Sequence, residues 1–440
     1  MLRKNMAWML AIMMACTMMF GIAPAFASGE PEKPKELNIW LQQTFSEEFN
    51  EAIVKCFEEF GRQNGITVYA EPVEAAALRD TKIPAAVEAK DTPNAAFTGM
   101  PIMYTYAERG LLTPSQPAID ELAANGITFV DAVNTAGQYN GTWYGIPAQM
   151  QSWLFWNNME YLERAGYNKT PDTMDEFIEM SRATTWPSEG IYGAGMAAGA
   201  TCSDFHNWSQ TVLWAYGGSL YENGKINVKS EGTKEALRKI LQLFEDGSVA
   251  PDMIPGDDMA NNVAYYTGAS TFIYNIPSIA AQTMENNPHI WEHTGISAPP
   301  GGPNGRFALT EPGIFILFDR GESENYWINK CFAFVMGKDQ FGKAVQAAAP
   351  VFSPPYANLL TDPDFADFVA DPVVKAHLEA LANGKMFFYP DTTLTPERAA
   401  LVTNETYVNH FVTYVIVEGM SFDDALDRYE ELLQRAIDAI

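Results

Sequence analysis

The chain has 440 residues, 47% of them hydrophobic, and carries 28 basic against 55 acidic side chains, a net charge of −27 at pH 7. Such an excess of negative charge repels nucleic acid and anionic membrane surfaces, which excludes proteins that bind either by charge. The length is too great for one small core and predicts two domains.

The N-terminus has the composition of a secretory signal. Arg3 and Lys4 precede an apolar run over 6–22, and an A-x-A motif ends at Ala27. This predicts a signal peptide over 1–27 and export to the periplasm or the medium. A membrane anchor is the first alternative, but the run is short for a spanning helix. Lipidation of Cys16 is the second, but the residues after it are apolar where a lipid-anchored chain needs a polar tether.

Few covalent constraints are expected in the mature chain. It retains three cysteines, Cys56, Cys202 and Cys331, which are far apart in the sequence. At most one pair can form a disulfide, so the fold does not depend on a disulfide framework.

The first hundred residues alternate between strand and helix patterns. A strand over 36–43 is followed by a helix with Ser46 at its N-cap, which Gly65 ends. Such alternation predicts a mainly parallel sheet covered by helices. The further predicted elements here are a strand over 66–73, a helical stretch over 78–89 broken near Pro84, a strand over 93–98 and a helix over 104–109.

The stretch from Tyr139 to Asn158 combines a turn signal with aromatic residues. Asn140-Gly141 is a strong signal for a two-residue hairpin. Flat indole faces beside neutral polar groups suit a ligand such as a sugar, and the alternative interpretation is a buried hairpin with the tryptophans as core. The indoles are Trp143, Trp153 and Trp156, and the polar groups are Gln149, Gln151 and Ser152.

The second half of the chain continues to mix helices and strands. Thr173 and Glu176 predict a capping box. The predicted elements are helices to about 182, over 203–218, over 230–245 and from 421 to the end, and strands over 269–274 and 313–318.

The usual catalytic and cofactor motifs are missing. The sequence has no P-loop, no G-x-G-x-x-G after a strand, no G-x-S-x-G and no zinc-protease helix, and no cofactor is expected. His289 and His293 are four residues apart, but no third ligand is identifiable and Pro288 predicts a surface turn, so no metal is expected.

The order of the segments resembles extracellular solute-binding protein family 1, the maltose-binding-protein-like group that serves ABC importers. The resemblance covers essentially the whole mature chain. Asn94 stands where the family usually has Asp, and Met174 where it has Trp. The segments that carry the resemblance are NIWLQQ, AAVEAKDTPNAAFTGMPIMYTYAERGLLTPS, YNGTWYGIPAQMQSWLFWNN, GYNKTPDTMDEF and WAYGGSLYENGKI.

This resemblance implies a type II periplasmic-binding-protein fold of two α/β lobes with discontinuous segments and a hinge cleft. It implies an N-terminal lobe over 36–147 and 313–348, and a C-terminal lobe over 152–307 and 352–440. The chain would cross between the lobes near Pro147–Ser152, Phe307–Gly313 and Pro350–Pro355. The lobes would close on a ligand and present it to a membrane permease, without breaking any bond in it.

Ligand-binding residues are carried over from the family position by position. They are Gln42, Gln43 and Thr44 after the first strand, Thr98, Gly99 and Met100 after the third, Gln149, Gln151 and Trp153 in the first crossing, His206, Asn207 and Trp208 in a second-lobe helix, Asn275 and Ser278 after a second-lobe strand, Glu311 and Gly313 in the return crossing, and Phe388 and Tyr389 near the C-terminus.

Two departures argue against maltose itself. Gly99-Met100-Pro101-Ile102 replaces charged residues, and Ser278 stands where maltose binders have a stacking Trp. The aromatic residues favour a saccharide or another neutral polyol, bound by a monomer. A polyamine or other small cation is an alternative ligand, because aromatic residues also enclose cations. An exported glycoside hydrolase is a further alternative, but it needs two carboxylates across the sugar and only Glu311 is placed near the cleft.

Overall fold

The structure is a computed structural model. It describes residues 29–440 except 45, 76, 131–132, 134–135, 201, 349–353, 383, 386–406 and 439–440. The chain divides into two units, residues 1–33 and 34–440, and the fold below is that of the second unit. The predicted signal peptide over 1–27 lies outside the described residues.

The first sheet has six strands. Their order is β14-β13-β3-β1-β2, and β6 pairs with the other edge of β13. Strand β1 is parallel to β2 and β3, whereas β13 is antiparallel to β3 and β6. The strands are β1 Glu36–Gln42, β2 Thr67–Val73, β3 Ala95–Thr98, β6 Gly145–Ser152, β13 Ala308–Leu317 and β14 Gly384–Lys385.

The second sheet has four strands in the order β12-β7-β11-β8. Strand β7 is antiparallel to both of its neighbours, and β11 is parallel to β8. Two short hairpins, β4–β5 and β9–β10, complete the strands. The bounds are β4 Gln138–Tyr139, β5 Thr142–Trp143, β7 Leu154–Asn158, β8 Tyr192–Ala194, β9 Tyr221–Glu222, β10 Lys225–Ile226, β11 Ser270–Asn275 and β12 Thr294–Ser297.

Helices cover both sheets. They are α1 Glu47–Asn64, α2 Ile83–Ala89, α3 Met100–Glu108, α4 Gln116–Ala124, α5 Met159–Arg164, α6 Met174–Ala183, α7 Ser203–Ala215, α8 Glu231–Glu245, α9 Asp258–Tyr266, α10 Ile279–Asn286, α11 Pro288–Glu292, α12 Glu322–Val335, α13 Lys343–Ala348, α14 Ala366–Ala370, α15 Pro372–Ala382, α16 Tyr407–Val412 and α17 Phe422–Asp438. None of the described helices is both long and apolar enough to cross a membrane.

Local sequence signals place several of these boundaries as predicted. The Ser46 hydroxyl accepts the Phe49 N–H at 3.2 Å and so begins α1, and Gly65 ends the helix with a φ of 69°. Asn140 and Gly141 take φ values of 49° and 78° between β4 and β5, as a two-residue hairpin requires. The predicted break near Pro84 is also confirmed, because a π-helical turn over Ala77–Lys82 gives way there to α2.

Two predicted element boundaries are wrong, and the predicted strand direction holds for only part of the chain. The strands of the first hundred residues are parallel as predicted, but both sheets are mixed, because β13 runs antiparallel in the first sheet and β7 in the second. Helix α3 begins at Met100 and not at 104, because Pro101 fits the first turn of a helix. Strand β13 begins at Ala308 and not at 313, because backbone pairing with β6 extends it through Pro312.

Each sheet has its own core. The first core includes Ile39, Phe57, Ile316 and other side chains of the first sheet and its helices. The second sheet has apolar side chains on both faces, with Phe155 in one cluster and Trp156 in another, as alternation along a strand requires. The three cysteines Cys56, Cys202 and Cys331 are buried, and none forms a disulfide.

The chain passes from one core to the other at two places near those predicted. Along β6 and β7, Met150 belongs to the first core and Trp153 to the second. Along β13, Leu309 belongs to the second core and Ile314 to the first. We use the term crossing face for one side of this β6–β13 pair, which carries Gln149, Gln151 and Trp153 together with Glu311 and Gly313.

The third predicted crossing, near 350–355, falls largely on residues 350–353, which lie outside the described residues. Tyr356, Leu359, Phe365 and Phe368 all pack in the first core, although the predicted C-terminal lobe resumes at 352. The Val130 N–H also donates to the Pro355 carbonyl at 2.9 Å, which ties this segment to the first sheet's side of the molecule. We propose that the third crossing lies in α15.

Candidate functional site

The crossing face brings together predicted site residues from two distant segments. Gln149 lies opposite Gly313 and Gln151 opposite Glu311 in the antiparallel pair. Residues two apart on a strand share a face, and directly paired residues share it too. The Trp153 N–H donates to the Leu309 carbonyl at 3.3 Å, so the pairing continues to the start of β7.

A carboxyl group lies at the centre of this face. A Cβ atom built on Gly99 would stand 3.4 Å from Glu311 Oε1, so the end of β3 meets the return crossing here. Burial raises the pKa of the Glu311 carboxyl, and the positive charge of Arg79 partly opposes that rise. Glu311 therefore places a buried carboxyl group on this face, with a cationic side chain in its surroundings.

The end of β1 contributes both Gln42 and Thr44, whereas Gln43 pairs with the neighbouring strand. Gln42, Thr44 and Gln149 line one small cavity. The Gln43 N–H donates to the Val73 carbonyl at 2.7 Å. Thr44 and Asn50 bond to each other, with the Thr44 N–H donating to Asn50 Oδ1 at 2.9 Å, so Thr44 stabilises the start of α1.

The two residues on either side of Gly99 are both buried. Thr98 is 4% exposed, and its hydroxyl has no hydrogen-bond partner within the described part of the chain. Met100 is 5% exposed and packs in the first core, so its side chain serves packing.

A buried polar network adjoins the other end of the crossing face. Trp153 Nε1 donates to Asp204 Oδ1 at 2.6 Å, and Asn261 Nδ2 donates to Asp204 Oδ2 at 2.9 Å. Asn275 Nδ2 donates to Asp204 Oδ2 at 3.2 Å and also bonds to Asn262 Oδ1. This network joins the first crossing to α7, α9 and the last residue of β11.

The ionisation of Asp204 reflects its burial. Loss of solvent and the nearby negative charge of Asp258 raise its pKa to about 7, and the hydrogen bonds from Asn261 and Trp153 oppose the rise. Several donors converge on this one carboxyl group, so it holds neighbouring side chains in fixed positions. Its hydrogen-bond capacity is used largely within the protein.

The three predicted residues of α7 are buried. Trp208 is fully buried in the second core, with its ring edge-on to Phe177 at 5.9 Å between centroids. Burial lowers the pKa of His206 to about 4, so its imidazole is neutral at pH 7. Asn207 is 4% exposed. Trp208 is thus a packing residue, and His206 lacks the charge that an anionic ligand would need.

The remaining predicted site residues lie in different parts of the structure. Asn275 belongs to the Asp204 network, and Ser278 is 3% exposed just before α10. Phe388 and Tyr389 lie outside the described residues. All three indoles singled out in the sequence pack in cores, and Trp153 of the second core also continues the crossing face.

Sequence reasoning did not select Asp204, Asn261, Asn262 or Arg79. Asn261 and Asn262 lie in a helix that the sequence did not predict, and only the fold brings α9 beside the end of β11. A signal for Asp204 was present, since an acidic residue in the first turn of α7 stands beside aromatic residues.

The close approach at Gly313 yields a testable prediction. A Cβ atom at this position would lie 2.2 Å from the Phe97 ring and 2.6 Å from Gln149 Cγ. We expect Gly313→Ala to lower the free energy of unfolding by about 1–3 kcal/mol, because overpacking forces both side chains to move. Chemical denaturation measures the change.

Gly99→Ala is the matched control. Its new methyl group would be 3.4 Å from the nearest atom, which is an ordinary contact. We expect a change within about 0.5 kcal/mol. Equal destabilisation by both substitutions would contradict the close packing of Gly313.

Comparison with a family model agrees with this architecture. The model of the bacterial extracellular solute-binding proteins matches residues 55–370. A curated relative, a "Probable ABC transporter-binding protein" of Deinococcus radiodurans, is 27% identical over 243 residues. That match covers 52% of this chain and spans 55% of the relative's length.

Solved structures with the same two-lobe fold cover nearly the whole chain. The GacH receptor of Streptomyces glaucescens, solved without ligand and with acarbose, is 17% identical at a TM-score of 0.73 and covers 92% of this chain and 99% of its own. A cyclo/maltodextrin-binding protein with maltotetraose is 18% identical at 0.74 and covers 93% and 99%. A sugar transporter of Arthrobacter chlorophenolicus with laminaribiose is 17% identical at 0.74 and covers 91% and 99%.

Proposed function

The chain belongs to the bacterial extracellular solute-binding proteins, and from this premise we propose that it captures a sugar or oligosaccharide and delivers it to the permease of an ABC importer. The ligand would lie between the two lobes against the crossing face. We propose that the protein is exported and monomeric, and that it breaks no bond in its ligand.

The observation that carries this proposal is the chemistry of the crossing face. It carries the side-chain amides of Gln149 and Gln151 beside the Glu311 carboxyl, and the buried indole of Trp153 adjoins one end of it. Sugar hydroxyls donate and accept hydrogen bonds, which amides and carboxylates match. The unpartnered hydroxyl of Thr98 adds a buried group that costs free energy until a ligand or water satisfies it.

The position of this face between the cores supports closure by hinge motion. Both β6 and β13 pass from one core to the other, so small backbone rotations near Trp153 and Leu309 would move one lobe against the other. A ligand held by groups of both lobes favours the closed state by its extra contacts there. The lobes would comprise 36–147 with 313–371, and 152–307 with the C-terminal segment that follows α15.

A small cationic solute is the second candidate. Glu311 supports it, because a carboxyl group at the centre of the face would pair with an amine. A hydrolase has less support. Asp204, the carboxyl group that adjoins the face beside Glu311, already accepts bonds from Trp153, Asn261 and Asn275, whereas a catalytic pair must reach the scissile bond.

Ligand binding is tested by a thermal-shift screen against mono- and oligosaccharides, polyols and polyamines. A ligand at a hundred times its dissociation constant adds about 2.7 kcal/mol of stability, which raises the melting temperature. We expect a saccharide to do so. Stabilisation by amines alone would replace the sugar with a cation, and hydrolysis of the ligand would overturn the transport role.

A binding titration with the saccharide found in that screen tests the crossing face. We expect Gln151→Ala to weaken binding of that saccharide about tenfold, since one lost hydrogen bond in a desolvated site costs roughly 1.4 kcal/mol. Gln242→Ala, a half-buried glutamine in α8, is the control and should leave the affinity unchanged. Equal affinities of both variants would place the ligand elsewhere.

A further inference from the structure

Three side chains that can bind a metal ion meet on the surface beyond the far end of β7. They are Glu160 of α5, His289 of α11 and His293, which follows α11, and one potential ligand atom of each lies within 4.8 Å of the others. Glu160 is 129 residues from His289, so the sequence offered only the two histidines. We propose that these residues bind a divalent transition-metal ion, with Zn²⁺ as the representative.

The backbone holds the three side chains close together. The Met159 N–H, next to Glu160, donates to the His293 carbonyl at 2.8 Å. Asn158 caps α5 through the Tyr161 N–H, and Asn287 caps α11 through the Ile290 N–H. The two segments are therefore joined before any ion arrives, so binding does not have to order them.

The hydrogen bond of His293 favours coordination, and that of His289 is exchanged for the ion. His293 Nδ1 lies 2.9 Å from the His289 carbonyl, which can only accept, so Nδ1 carries the proton and Nε2 keeps its lone pair. A second-shell bond of this type is usual for histidines that bind metals. His289 Nε2 lies 2.9 Å from Glu160 Oε2, so without an ion its N–H donates to the carboxylate, and a bound ion would replace that proton.

The distance between His289 Nε2 and Glu160 Oε2 is close to the spacing of two ligand atoms on one zinc ion. Zinc stands about 2.1 Å from nitrogen and oxygen ligands, and atoms 2.9 Å apart at that distance subtend an angle of about 90°. A tetrahedral angle needs about 3.4 Å, so the pair opens by about half an ångström. Both side chains are exposed and can make this change by small rotations.

The ligand set selects the class of ion. Two imidazole nitrogens and one carboxylate suit zinc and its neighbours, whereas Mg²⁺ and Ca²⁺ require oxygen ligands. The net charge of −27 raises the local concentration of any cation. A fourth position would remain for water.

This site is separate from the crossing face. Trp153 and Asn158 are five residues apart along the β7 segment, or roughly 16 Å. The ion would tie α5 to α11, and its binding does not depend on the sugar proposal. A chain that binds zinc but no saccharide, or the reverse, would distinguish the two.

Calorimetric titration of the purified chain with Zn²⁺, in millimolar Mg²⁺, tests the proposal. We expect one saturable site, and a loss of affinity of at least tenfold in His293→Gln and in Glu160→Gln, because even outer-shell partners of a metal contribute that much. Thermal unfolding without zinc checks that each variant folds.

Two matched variants separate the site from general attraction of cations. Glu163→Gln removes an exposed acid from the same helix as Glu160, and His410→Gln removes a histidine elsewhere. Both should bind zinc as the original chain does. The proposal is overturned if the chain shows no saturable binding, or if all four variants bind alike.

Discussion

Trp153→Ala is expected to lower the free energy of unfolding by about 3–5 kcal/mol, the usual cost of removing a buried tryptophan. Trp153 is 6% exposed and packs in the second core. Its loss also leaves the Asp204 carboxyl without the donor at 2.6 Å. Denaturant titration followed by tryptophan fluorescence and circular dichroism measures the change.

Phenylalanine substitutions separate packing from hydrogen bonding. Trp153→Phe keeps an aromatic ring but removes the N–H that donates to Asp204. Trp143→Phe makes the same change in the first core, where the ring packs against Phe129 at 5.8 Å between centroids. We expect Trp153→Phe to cost about 1.5–3 kcal/mol more, as for a hydrogen bond to a charged group. Equal costs would mean that the Asp204 network adds no stability.

Trp153→Phe also links the network to the proposed function. If the ligand contacts the crossing face, this variant should bind the saccharide found in the thermal-shift screen at least tenfold more weakly while remaining folded. Unchanged affinity in a folded variant would remove Trp153 from the ligand site and leave it a structural residue.

Acid is expected to destabilise the protein through His377. This side chain is buried, and burial lowers its pKa to about 3. Its Nε2 accepts the Ser152 N–H at 2.8 Å, which a protonated Nε2 could not do. The unfolded chain binds a proton near pH 6.5 and the folded chain does not, so stability is present above pH 6.5 and is lost as the pH falls toward 3.

The effect is measured by comparing pH 7 with pH 5. One histidine that titrates only in the unfolded chain accounts for about 2 kcal/mol of lost stability over this interval. We expect His377→Gln, whose side-chain oxygen can still accept the Ser152 N–H, to lose about 2 kcal/mol less than the original chain. Equal losses would show that His377 is not held neutral.

Asp204 has the opposite effect on how the free energy of unfolding changes with pH, and both chains of that comparison contain it. Its pKa is raised from 3.8 to about 7, so the folded chain retains a proton that the unfolded chain releases. The proton held by Asp204 therefore makes the folded state less stable as the pH rises from 3.8 to about 7. It is the same in both chains, so it cancels from their difference.

Much of the fold could be predicted where short-range signals act alone. The cap at Ser46, the left-handed residue at Gly65 and the Asn140-Gly141 turn depend on neighbours within a few residues. Strand direction was less predictable, because β13 pairs with segments more than 150 residues away.

The predicted site residues include some that the structure brings together on one face and others that it buries in the cores. Gln149, Gln151, Glu311 and Gly313 were selected from the family resemblance, and the structure brings them onto one face. Met100 and Trp208 were selected too, but packing buries them in the cores. Nothing in their local sequence distinguishes an aromatic or apolar residue that faces a ligand from one that faces a core.

The sequence alone therefore determined the caps, turns and amphipathic elements, and the order of its segments identified the family. Only the tertiary structure decided which polar groups meet. Asp204 gathers Trp153, Asn261 and Asn275, and Glu160 joins two histidines far along the chain. The physical reason is distance along the chain, because a contact between residues 50 to 130 positions apart exists only after the backbone has folded around both cores.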